Sequence, residues 1–305
     1  MTRQASLKLG SANIPSVIAF ARHETFHPRF GWLKKGFDRA AQHPGVFLEE
    51  DAPVRLGVGK NMVRSIRYWC NTFRLLEDDQ PSDFGRALLS SEGWDTYLED
   101  PASLWLLHWQ LLQAPCYASA WDFTFNYFHR TEFTFEDLFY DLCDYRDRIS
   151  PRTADSSIKK DVSCLLRMYA KQPTKTSASE DSLDCPFVDL GLIHTAGDVR
   201  HYTFRIGAKR SLPAEVVVYA CLNHAERVSQ TARSIPIASL LYDVGSPGLI
   251  FKLTESAIGE AIEQVACQHK GIQLSDAAGK LQFSFSQEPT SLAQNLLSNY
   301  YGQTR

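Results

Sequence analysis

Between Asp100 and Leu112 the chain reads DPASLWLLHWQLL, and no other stretch constrains the fold as much. Asp100 is set to cap a helix with its carboxylate, and Pro101 to fill the first helical position, where a missing N–H costs nothing. The body that follows (Leu104, Trp105, Leu106, Leu107, Trp109, Leu111, Leu112) is apolar nearly all round. A helix without a polar face needs neighbours on every side, so it belongs in the middle of a bundle. Trp105 and Trp109 are accordingly expected in core packing and not as a base-stacking pair. With 44% hydrophobic and 12% aromatic residues the chain has the material to surround that helix. At 305 residues it predicts two or three modules, since one core rarely grows past about 250–300 residues.

Residues 1–20 lack the basic start, apolar run and small-residue cleavage site of a signal peptide. No run of about 18 apolar residues is present to span a membrane. Seven cysteines lie at least 21 residues apart, which gives neither a CxxC clamp nor a dense disulfide frame. A reducing cytoplasm is the expected location.

The net charge is only −3, but its distribution is uneven. Residues 1–76 carry 12 Lys+Arg against 5 Asp+Glu, and residues 77–150 carry 4 against 15. A basic front followed by an acidic section points to a surface that faces a polyanion.

The predicted architecture is mainly α, in the α+β class, with several winged-helix or helix-turn-helix-like modules and short β-hairpins. Residues 1–19 read as a flexible leader and 20–170 as a helical DNA-binding domain with two helix-turn-helix-like units. The polar stretch KQPTKTSASEDSLD, 171–184, reads as a linker or loop. Residues 185–305 form a C-terminal winged-helix-like domain.

Asp51 to Glu77, DAPVRLGVGKNMVRSIRYWCNTFRLLE, holds the strongest of these units. A short helix ends near Leu56, Gly57-Val58-Gly59 supplies a turn, and a second helix runs from Lys60 to about Phe73. Met62, Ile66, Trp69 and Phe73 form one apolar stripe. Lys60, Asn61, Arg64, Arg67 and Asn71 fall on the other side, and no acidic residue interrupts Lys60 to Arg74. Guanidinium forks and amides are the groups that pair with guanine, adenine and phosphate in a major groove.

Two weaker echoes follow. In Phe133 to Ala170, Thr134 caps one helix, Ser150-Pro151 breaks it and Ser156 caps a second. The stripe of that second helix is Ile158, Val162, Leu165 and Tyr169, with Lys159, Lys160 and Arg167 outward and Arg152 just before it. From Ile235 to Ala266 come two helices, followed by two alternating strands around Ala278-Gly279. That last helix carries Glu255, Glu260 and Glu263, so this module is expected to pack or dimerise and not to grip phosphate. A strand over Arg200 to Ile206 and a helix from about Ala214 precede it.

His23-Glu24-Thr25-Phe26-His27 spells H-E-x-x-H, the zinc-protease rule. That chemistry needs both histidines one turn apart in a helix, and Pro28 pushes His27 out of helical geometry. The protease reading is therefore rejected. Metal binding of another kind by His23, Glu24 or the acidic Glu180, Asp181 and Asp184 competes with ordinary capping or loop roles.

Four stretches, HETFHPRFGWLKKGFD, LGVGKNMVRSIRYW, GWDTYLEDPASLWLLHWQLL and EDSLDCPFVDLGLI, resemble in order the SspB-like family of DNA phosphorothioation systems. This is a bacterial family of formerly unknown function, encoded beside genes of the phosphoadenosine-phosphosulfate-reductase type. The likeness runs over about residues 20–300. It implies a component of a DNA sulfur-modification and phage-defence pathway, with DNA as ligand. The implied partners are a cysteine desulfurase, an ATP-pyrophosphatase-like sulfurtransferase and an ATPase, with a homodimer as a further expectation. It also implies DNA nicking, one strand being opened so that sulfur can replace a phosphate oxygen. The family pattern keeps the His-Glu pair but not the second histidine.

Nicking requires a nucleophile or activated water, charge stabilisation on phosphate and an acid for the leaving group. None of the PD-(D/E)xK, H-N-H or GIY-YIG spellings occurs. The catalytic candidates are His23 as general base or acid and Glu24 as orienter or metal ligand, with Arg29, Lys34 and Lys35 as phosphate clamps. A divalent metal such as Mg2+ would serve a nickase as cofactor. The competing reading makes this stretch a packing motif with Trp32 in the core. The protein is then a non-catalytic winged-helix adaptor or transcriptional regulator that positions a sulfurtransferase on DNA.

Overall fold

Two glycines shape the front of the molecule. In this computed structural model, which describes residues 17–171, 185–197, 200–277 and 279–303, α1 spans Trp32–Gln42, α2 Ala52–Leu56 and α3 Lys60–Thr72. Gly57 ends α2 in the left-handed region at φ 64°, a conformation that a side chain disfavours. Gly36 of α1 lets α3 approach closely, because a Cβ there would sit 2.5 Å from Cys70 Sγ and 2.7 Å from Ile66 Cγ2. Ile66, Trp69 and Phe73 are fully buried, with Met62 packed against them, so the expected stripe is the packing face of α3. A small hairpin, β1 (Leu76–Glu77) and β2 (Gln80–Pro81), closes the unit, and α4 (Asp83–Leu89) follows with Ser82 as its cap.

α5 (Pro101–Leu111) is the apolar helix anticipated from Asp100 onward, and every residue from Ala102 to Trp109 is buried. Its enclosed polar groups, Ser103 and His108, both have partners. For His108, Nε2–H donates to the Ile250 carbonyl at 3.0 Å, and Nδ1 accepts from the Tyr169 hydroxyl at 2.8 Å. Burial drives this imidazole down to about 3, so it is neutral.

The next elements are α6 (Ser119–Asn126), β3 (Glu132–Thr134), α7 (Phe135–Ile149), α8 (Asp155–Tyr169), β4 (Ile193–Thr195) and β5 (His201–Phe204). Thr134 and Asp137 form a reciprocal capping box on α7. α8 begins at Asp155 with Ala154 at the cap position, which places Ser156 inside the first turn, so the expected Ser156 cap is corrected. Ile158, Val162, Leu165 and Tyr169 are buried, as their spacing predicts.

α9 (Ala214–Val228), β6 (Ser234–Pro236), α10 (Ile237–Tyr242), α11 (Pro247–Ile250), α12 (Glu255–Ala266), β7 (Ile272–Ala277) and β8 (Lys280–Phe285) come next, before α13 (Pro289–Gln303). Both three-stranded sheets are antiparallel with the same order, first strand beside last: β3-β5-β4 and β6-β8-β7. Phe133 faces Tyr202 in one register, and Ile235 faces Phe283 in the other.

Residues 1–16 and 172–184, and with them most of the expected leader and linker and the acidic Glu180, Asp181 and Asp184, lie outside the described residues. The division expected at 171–184 does not separate two cores. β3, from before it, pairs with β5, from after it. Trp105 meets Phe251 edge-on at 5.5 Å, and the Ser103 and Tyr301 hydroxyls bond at 2.9 Å. Buried apolar residues of both halves form one continuous cluster. Among the described residues no helix is long and apolar enough to cross a membrane.

Candidate nucleic-acid interface

The residues spelling His-Glu-Thr-Phe-His form a tight turn, with Glu24 at φ 51° and Thr25 at φ 69°, not a helix. His23 is fully buried. Its Nε2–H donates to Asp161 of α8 at 2.8 Å, while its ring stacks on Trp69 of α3 at 6.2 Å and meets Trp121 edge-on at 5.7 Å. Asp161 also accepts the Ala21 N–H at 2.9 and 3.0 Å. Burial raises the Asp161 carboxyl above its ordinary range, and the hydrogen bond from His23 offsets only part of that rise. Trp69 Nε1–H donates to the Phe26 carbonyl at 3.0 Å, and Arg167 Nη2 to that of Thr25 at 2.7 Å. The turn is thus a rivet between α3 and α8.

This corrects the catalytic expectation for His23. A general base must reach its substrate, and this imidazole is enclosed by aromatic rings and committed to Asp161. Glu24 differs, being part-exposed and 3.6 Å from Arg64.

Glu24, Lys60, Arg64, Arg67 and Asn71 gather along an open groove of about 990 Å³. Lys60, Asn61 and Arg64 are exposed at the start of α3. Arg67 and Asn71 are not available in the way expected. Asp79 in the β1–β2 turn accepts from Arg67 Nε at 2.8 and 2.9 Å and from Asn71 Nδ2 at 3.0 Å. Asp79 is buried to 7% exposure, so it needs those donors, which are committed to it. Glu49, Glu50 and Asp78 also line the groove. Its lining is therefore of mixed charge, with Lys60 and Arg64 its exposed cations on α3.

The remaining candidates are spread out. Arg29 lies over the Phe26 and Trp32 rings at 5.6 and 5.1 Å, and Trp32 is in the core. Lys34 pairs with Asp38 at 2.5 Å on α1, and Lys35 is exposed beside it. Arg152, just before α8, and Lys159 and Lys160 in its first half are exposed.

Residues 20–301 match the model of DUF4007, a family described as proteins of unknown function. The chain belongs to the DUF4007 family. It is similar to SspB: one SspB crystal structure is 39% identical, with a TM-score of 0.87 over 95% of this chain and 89% of that chain. A magnesium ion-bound SspB crystal structure is 38% identical, with a TM-score of 0.88 and the same coverage. No curated protein matches. The resemblance drawn from the four quoted stretches is borne out by these likenesses. In this DUF4007 chain sequence reasoning missed Arg22, an exposed cation on the same groove, and Asp79, whose role depends on a turn that pattern alone does not fold. The run Glu77-Asp78-Asp79 directly after a basic helix was the available signal for Asp79.

Proposed function

We propose that this protein is a DNA-binding component of a DNA phosphorothioation and anti-phage defence pathway. In this reading the N-terminal half of α3 rests on a duplex through Lys60, Asn61 and Arg64, and Lys159 and Lys160 of α8 contact phosphate nearby. One observation carries it: in each of the first two units, the helix before the hairpin has exposed cations in its first half. The order helix, strand, helix, helix, two strands, with the first strand beside the last, supports reading the units of β3–β5 and β6–β8 as winged helices; the second unit adds the short α11. In that unit α12 presents Glu255, Glu260 and Glu263 to solvent, so it serves packing or partners. An ATP-pyrophosphatase-like sulfurtransferase, an ATPase and a cysteine desulfurase are the proposed partners.

The test is a titration of labelled duplex with wild type and with Lys60→Ala/Arg64→Ala across a salt series. The wild-type log–log slope should scale at about −0.9 per phosphate contacted, and the variant should lose affinity and slope together. Equal affinity and slope would remove α3 from the interface.

Strand nicking is the second reading, favoured by the magnesium ion in the similar SspB structure. The groove carboxylates do not form a ready cage for that ion. Asp79 is held by Arg67 and Asn71, Glu49 by His43 and Arg55, and Glu24 lies beside Arg64. Conversion of supercoiled plasmid to open circles by wild type, lost in Glu24→Ala, would support nicking at this groove; a non-catalytic adaptor would bind the plasmid and leave it closed.

A further inference from the structure

Two adjoining hollows, of about 620 and 420 Å³, share Lys34, Asp38 and Tyr97. Tyr97 is 72% exposed, yet the segment carrying it is fastened at every step. Trp94 and Asp95 donate their N–H groups to the Ala87 and Leu88 carbonyls at 2.7 and 3.0 Å, and the Thr96 hydroxyl donates to the Ser90 carbonyl at 2.8 Å. The Asp95 carboxylate accepts the Glu99 and Asp100 N–H groups, each at 2.9 Å, and the Ser103 hydroxyl at 2.6 Å. Leu98 adopts φ 58°, a left-handed conformation that its side chain disfavours. With that turn Leu98 packs against the core while the preceding ring stands in solvent. The backbone that carries Tyr97 is thus fixed, so presenting the ring costs little ordering of the chain when a base stacks on it.

The surroundings of that ring are cationic. Lys34 Nζ lies 5.8 Å from its centroid and is paired with Asp38, while Lys35 and Arg39 are exposed on α1 and Arg86 on α4 has a long 3.9 Å contact with Asp83, which leaves the rim net positive. A stacking surface rimmed by ammonium and guanidinium groups is what sequence-tolerant single-strand sites are made of. We propose that these joined hollows bind an unpaired nucleotide, its base stacked on Tyr97 and its phosphates met by Lys35, Arg39 and Arg86. The site deepens the DNA-binding reading and rests on it. Gln80 and Pro81 of the β1–β2 hairpin line the larger hollow, whereas Asp78 and Asp79 of the same hairpin line the α3 groove. A duplex on α3 and a displaced strand at Tyr97 would border the same hairpin.

Full-length protein titrated with labelled oligothymidylate, and separately with blunt duplex, tests this. Tyr97→Ala should weaken oligothymidylate binding roughly tenfold and leave duplex binding unchanged, while Tyr97→Phe should restore the loss. Lys35→Ala/Arg39→Ala should lower the single-strand salt slope by about 0.7 for each phosphate no longer neutralised. Oligothymidylate binding that Tyr97→Ala does not alter, or no such binding by wild type, overturns the proposal even where duplex binding depends on Arg64. Dependence on Tyr97 without dependence of duplex binding on Arg64 sustains this site and defeats the α3 reading instead.

Discussion

Arg67 and Asp79 meet in a two-pronged ion pair, with Nε 2.8 and 2.9 Å from the two carboxylate oxygens and Nη2 2.7 Å from one of them. The pair ties the β1–β2 turn to the middle of α3. Arg64, one turn earlier, is 56% exposed and touches Glu24 loosely. Two arginines that look equivalent in the sequence therefore have different duties.

Arg67→Ala should lower stability by about 1–2 kcal/mol, because it leaves a buried carboxylate with Asn71 alone; Arg67 itself is partly exposed, and solvent screens part of the loss. Arg64→Ala should leave stability within about 0.5 kcal/mol of wild type and weaken duplex binding by about 1–3 kcal/mol. Thermal melts and anisotropy titrations separate the two effects, and the reverse pattern would exchange the roles.

His23→Ala should destabilise by about 3 kcal/mol or more, since it deletes a ring packed against Trp69 and Trp121 and strips Asp161 of its buried partner. Denaturant midpoints measure this. Any plasmid nicking by the variant should fall only with its folded fraction. Full stability with complete loss of nicking would return His23 to chemistry.

Asp122 gives a pH signature. It is buried, its carboxylate accepts from Asn126 Nδ2 at 2.7 Å, and burial pushes it up to about 6. The folded state then holds this proton to higher pH than the unfolded chain, whose aspartates titrate near about 3.9. Its contribution is fully present below that value and is lost as pH rises through about 6. Asp122→Asn should remove the loss, so the difference in unfolding free energy between variant and wild type should grow by about 3 kcal/mol from pH 3 to pH 8. A difference independent of pH would mean that Asp122 titrates normally.

Lys159→Glu/Lys160→Glu reverses two exposed charges on α8. The fold should be unaffected by circular dichroism. Duplex affinity should fall, and the salt slope should shrink by about 0.9 for each phosphate that the helix ceases to neutralise. An unchanged slope would remove α8 from the interface.

Where side-chain spacing alone decides burial, the sequence was legible. The apolar ring of α5, the stripes of α3 and α8, the glycine turn after Leu56 and the cap at Thr134 all follow from local rules. What local rules miss is pairing at a distance. The strand at His201–Phe204 is legible by itself, but β3 is three residues long and its pairing with that strand, across the stretch 171–184, is not. At the site the same limit applies. The cations were legible as a helical face, but Asp79 reaches Arg67 only because a short hairpin folds back, and His23 reaches Asp161 across 138 positions.

That distant strand pairing has a practical outcome. A chain cleaved somewhere between Lys171 and Cys185 would stay one particle, because β5 holds β3 and α5 lies against Phe251. The front piece expressed alone would carry an open sheet edge and an uncovered tryptophan-rich helix, and would aggregate. The two pieces should regain the native fold only when refolded together.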